Sequence, residues 1–91
     1  MVDYEDALWA ARVSAMSANM ATVRLHGVLF AKGILDSDEV ELLRHMHLHQ
    51  FDQAIESTES EGARTSLEND RATLDEGWQL AVRFPRQADQ D

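Results

Sequence analysis

Residues 3–32 read DYEDALWAARVSAMSANMATVRLHGVLFAK, and residues 33–40 continue GILDSDEV. The first run holds no proline and one glycine and is rich in Ala, Leu and Met, a composition that favours helix. Asp3, Glu5 and Asp6 stand at its start, where the helix dipole favours negative charge, and Lys32 stands at its end, where it favours positive charge. Gly33 supplies a stop, because glycine takes the left-handed conformation that closes a helix. Asp36 and Glu39 then form a D-x-x-E capping box, which satisfies backbone N–H groups that a new helix leaves orphaned. Ile34 and Val40 are expected to clasp that start as a hydrophobic staple, with Ile34 one residue earlier than is usual. The short linker Gly33–Leu35 folds the two helices into an antiparallel hairpin.

Working outward, the second helix is expected over 36–57. Thr58 and Glu61 offer a further capping box, and Gly62 weakens helix locally; a single bent helix through this region is the alternative. A third helix over 59–83 is stopped by Pro85, and residues 86–91 read as a polar tail. The expected fold is all-α: three antiparallel helices with a long first helix, one domain over 1–85, completed into a larger bundle by dimerisation. The chain of 91 residues is too short for two domains. A chain of this size buries roughly 60–65% of its unfolded surface, so added coverage from another chain is worth a good deal to it.

The first helix suggests where that coverage goes. At ~100° per residue, one stripe collects Trp9, Val13, Met16, Met20, Val23, Gly27 and Phe30. A second, nearly opposite, collects Tyr4, Leu8, Ala11, Ala15, Ala18, Leu25 and Leu29, with Thr22 in its gap. Both step by fours and threes, the spacing of a coiled-coil seam. A helix apolar on both sides must be covered on both sides, and the alanine-rich stripe suits a self-complementary two-fold contact. Gly27 costs the helix about 1 kcal/mol relative to alanine, which points to a close crossing there. The second helix shows a conventional face of Val40, Leu43, His47, Leu48, Phe51, Ala54 and Ile55, with Leu42 and Met46 off it. The third carries Ala63, Leu67, Leu74, Trp78 and Ala81.

Charge is unevenly spread. The chain carries a net −9. Residues 1–34 are balanced, whereas 35–61 set eight acids against Arg44 alone, a net −7. Direct contact with nucleic acid or an anionic membrane is disfavoured, since both call for basic patches. No stretch approaches the ~18 apolar residues of a membrane span. With no cysteine, disulfides and thiolate metal sites are excluded, which agrees with a reducing cytoplasm.

Few residues suggest chemistry. His45 and His49 are one helical turn apart and share a face, so two imidazoles are spaced to chelate Zn²⁺, Ni²⁺ or Cu²⁺, with Glu41 and Asp52 on the same side. His47 points into the apolar face and reads as a hydrogen-bonded core or interface histidine; His26 has no role legible in the sequence. There is no glycine-rich phosphate loop, no nucleophile elbow and no helix-paired E-x-x-H.

The leading expectation is therefore a non-enzymatic protein-interaction or regulatory module without cofactor. It dimerises through Leu8, Ala11, Ala15, Ala18, Leu25 and Leu29, with Leu42 and Met46 available to a partner. One alternative is an acidic inhibitor or nucleic-acid mimic that presents Asp38, Glu39, Glu41, Asp52 and Glu56 to a basic surface. The other is a metal-responsive protein using His45 and His49.

Overall fold

The three helices begin and end where local side-chain chemistry directs: α1 over Tyr4–Ala31, α2 over Ser37–Ser57 and α3 over Glu61–Ala81, in a computed structural model that describes residues 4–83. Gly33 closes α1 with φ 78°, a conformation that a Cβ would strain. The Asp36 side chain accepts from the Glu39 N–H at 2.8 Å, and the Glu39 carboxylate accepts from the Asp36 N–H at 3.0 Å. Both halves of the capping box are therefore present.

Two local expectations are corrected. Ile34 is exposed, and the half-buried Leu35 instead packs against the core. Leu35 directly precedes the cap residue, which is the ordinary staple position. The Thr58–Glu61 capping box does not form. Thr58 is the C-cap of α2, its hydroxyl donating back to the Ala54 carbonyl at 2.6 Å, and it stands two residues before the residue that caps the next helix. Ser60 caps α3 by accepting from the Ala63 N–H, and the helix starts at Glu61 and not at 59. Pro85 and the tail over 86–91 lie outside the described residues.

Side-chain pairs fix the helix directions. Arg12 of α1 meets Asp70 of α3, and Gly27 meets Ala81, so α1 and α3 run parallel. Arg44 meets Asp75 and Asp52 meets Arg71, so α2 runs antiparallel to α3. The helix last in sequence packs extensively on both others, whereas α1 and α2, neighbours along the chain, hardly touch. Thus α3 is a wedge, tied by Asp70 to one side and by Arg71 to the other.

The core is small. Among the described residues its buried apolar members are Val23, Phe30, Val40, Leu48, Leu74, Trp78 and Ala81, with Met20, Leu35, Leu43 and Phe51 packed around them. These choose between the two stripes of α1. Met16, Met20, Val23, Gly27 and Phe30 turn inward, while Trp9 and Val13 of the same stripe stay exposed. The molecule measures 56 × 30 × 15 Å with a radius of gyration of 15.8 Å, against about 12 Å for a rounded chain of this length.

At the crossing of α1 and α3 the backbones approach closely. A Cβ placed on Gly27 would lie 3.0 Å from the Ala81 Cβ and 3.3 Å from the Ala81 carbonyl oxygen. At this crossing a groove of about 660 Å³ runs between the two helices, lined by Met20, Val28, Gly77 and Leu80 beside Gly27 and Ala81, with Arg24 on its rim.

Candidate functional site

The second stripe of α1 is left uncovered. Tyr4, Leu8, Ala11, Ala15, Ala18, Thr22 and Leu25 are all exposed, and Leu29 is half-buried. Leu8 retains 53% and Leu25 57% of its accessible surface. The hydroxyl of Thr22 bonds to the Ala18 carbonyl at 3.0 Å, so the polar group within the span from Leu8 to Leu29 is satisfied by its own helix. At ~100° per residue no charged side chain of α1 falls between these positions: Glu5 and Arg12 lie toward the core side, Asp6 and Arg24 on the far side. The result is an apolar, charge-free strip along a helix of 28 residues, about 42 Å long. On α2, Leu42 and Met46 are likewise exposed, at 60% and 58%.

The acidic segment is less free than its composition suggests. Glu39 is engaged in the capping box. Glu41 accepts from Arg44 at 2.8 Å and faces His45 Nε2 at 3.1 Å. Asp52 accepts from Arg71 at 2.6 Å. Of the five acids expected to form a docking surface, Asp38 and Glu56 remain exposed outside these contacts.

His45 and His49 do share a surface depression, together with Met46, Asp52, Arg44 and Arg71. Two guanidinium groups beside the imidazoles oppose a divalent cation, and Asp52 is already held by one of them. Among the described residues no group of three or more His, Cys, Asp or Glu side chains is placed to hold a metal ion.

His47, turned toward the apolar face as its spacing implies, takes part in a half-buried polar node with Trp78 and Asn19. Trp78 of α3 donates from Nε1 to His47 Nδ1 at 3.2 Å. An indole nitrogen can only donate, so Nδ1 carries no proton, and neutral His47 donates from Nε2 to Asn19 Oδ1 at 2.9 Å. The node thereby links all three helices. Burial, and after it the nearby His26, push the His47 pKa below its ordinary value. His26 stacks on the Trp78 ring with centroids 5.4 Å apart, and its Nδ1 is buried without a hydrogen-bond partner. The inward-facing position of His47 was readable from helical spacing. Its partners lie 28 and 31 residues away, and nothing local points to them.

Among the described residues no helix is long and apolar enough to cross a membrane. No family model, curated protein or solved structure matches the chain.

Proposed function

We propose that this chain is a small, non-catalytic protein-interaction module that works as a homodimer. The observation that carries the reading is the exposed, charge-free strip of α1 on a chain with a net charge of −9. Pairing two such strips covers apolar surface that the isolated chain leaves to water. A second copy is the occupant that the charge favours: the segment over 35–61 repels another copy, whereas residues 1–34 are neutral.

The outer side of α2, with Leu42 and Met46, is the surface offered to a different protein; methionine repacks readily against varied partners. The absence of cysteine agrees with work in the reducing cytoplasm. Docking of the acidic segment on a basic partner has weaker support, because Glu39, Glu41 and Asp52 already serve contacts within the chain. The His45/His49 metal reading is weaker still, given the two arginines beside that pair.

Molar mass in solution, read by size exclusion with light scattering over a wide range of concentrations, tests the proposal. The expected result is twice the chain mass, falling to monomer only on strong dilution. A monomer at every concentration overturns it.

A further inference from the structure

We infer that two copies pair through α1 in antiparallel register, with Leu8 of one copy against Leu25 of the second copy and the two-fold axis between Ala15 and Ala18. This rests on the homodimer reading above and adds to it the direction and register of the contact.

The exposed strip runs Tyr4, Leu8, Ala11, Ala15, Ala18, Thr22, Leu25, Leu29. Its steps alternate four and three without a break, so it stays on one side of a gently supercoiled pair. The order of sizes is the same from either end: a bulky pair, two small residues, two small residues, a bulky pair. In a two-fold contact, residue i meets j and j meets i. Turned end for end, the strip sets Tyr4 opposite Leu29, Leu8 opposite Leu25, Ala11 opposite Thr22 and Ala15 opposite Ala18. The alanines let the axes come close at the centre, and the leucines fill the space as the helices diverge. Thr22, with its hydroxyl bonded to Ala18, brings no unsatisfied polar group into the seam.

Size alone would also permit a parallel pair, in which every residue faces its own copy; charge decides between them. Residues 1–16 carry Asp3, Glu5, Asp6 and Arg12, a net −2, and residues 17–33 carry Arg24 and Lys32, a net +2. Packed helices lie 8–10 Å apart, about one Debye length at 0.1 M salt, so each half feels the half beside it. A parallel pair sets like on like at both ends, whereas the antiparallel pair sets the acidic half of each helix beside the basic half of the other. Opposed helix dipoles act in the same direction.

The groove between α1 and α3 is the competing seat. It is also apolar, but Arg24 stands on its rim, and two copies meeting there face to face would bring like charges together.

Because the chain has no cysteine, disulfide trapping reports the register directly. Leu8→Cys and Leu25→Cys are prepared separately; both sites are exposed, so the core is untouched, and circular dichroism verifies the helix content of each. Each variant is oxidised alone, and then the two are oxidised as an equal mixture. In the antiparallel pair, the two copies of position 8 lie about 26 Å apart, far beyond the ~7 Å Cα separation a disulfide spans. The expected result is a covalent dimer from the mixture and none from either variant alone. A covalent dimer from Leu8→Cys alone overturns the antiparallel direction and leaves the homodimer standing. A non-covalent dimer that cross-links in none of the three samples places the self-contact elsewhere and overturns the strip as its seat. If the unsubstituted chain is monomeric by light scattering, both this register and the homodimer reading fall.

Discussion

Gly27→Ala and Gly77→Ala, made side by side, measure how tightly α1 and α3 cross. Both glycines sit inside helices, where alanine is favoured over glycine by about 1 kcal/mol. Were nothing in the way, each substitution would stabilise the protein by that amount. The surroundings differ. A Cβ on Gly27 meets the Cβ of Ala81 at 3.0 Å and its carbonyl oxygen at 3.3 Å. Neither neighbour has a rotamer to change, so the whole helix must move. Overpacking of this kind costs typically 1–3 kcal/mol, leaving Gly27→Ala neutral to about 2 kcal/mol less stable. A Cβ on Gly77 meets the terminal methyl of Met20 at 2.8 Å and its sulfur at 3.4 Å. Methionine has rotatable bonds to spare, and this one borders the open groove, so it swings aside at small cost. Gly77→Ala is therefore expected to be neutral to about 1 kcal/mol more stable. Urea unfolding followed by Trp78 fluorescence or circular dichroism gives both values. Equal stabilisation by the two substitutions would refute the close approach at Gly27.

Two further outcomes follow from the node and the caps. Neutral His47 in the folded protein binds fewer protons than His47 in the unfolded chain, because burial lowers its pKa; its contribution is full above the unfolded value of about 6.5 and is lost as pH falls below it. Stability should decline as pH falls below about 6.5 with a slope from this group of at most ~1.4 kcal/mol per pH unit, and His47→Gln should remove that part of the slope; an unchanged slope in the variant would count against burial holding the His47 pKa down. Asp36→Ala deletes the capping-box acceptor and should cost about 0.5–2 kcal/mol in the same unfolding assay, whereas no loss would mean that α2 does not depend on its cap.

What could be read from the sequence was what neighbouring residues decide among themselves. Gly33, and Asp36 with Glu39, act over one turn, so their chemistry is written where it operates. The errors nearby were of the same short range: Leu35 took the staple from Ile34, and Ser60, two residues beyond Thr58, took the cap of α3. Periodicity found two apolar stripes on α1 but not which one the core would take. That choice depends on where α3 lies, and α3 is docked by Leu74, Trp78 and Ala81 in the core and flanked by Arg12–Asp70, Arg44–Asp75 and Asp52–Arg71, pairs separated by up to 58 residues. The exposed strip was legible as a pattern, and its exposure became visible only once the other stripe was seen to be filled. His26 illustrates the limit: its stacking on Trp78 joins residues 52 positions apart.

The wedge position of α3 bears on how the protein is made. During synthesis α1 and α2 emerge first, yet they hardly touch each other, and their inward side chains Val23, Phe30, Val40 and Leu48 meet chiefly across Leu74, Trp78 and Ala81. A nascent chain that ends at Ser57 thus holds two amphipathic helices and no shared core. The hairpin has nothing to commit it until the last helix leaves the ribosome, and folding should then be a single cooperative event and not an accumulation of stable parts. Until that moment the inner and outer apolar faces of α1 are equally exposed, and α3 is what distinguishes them.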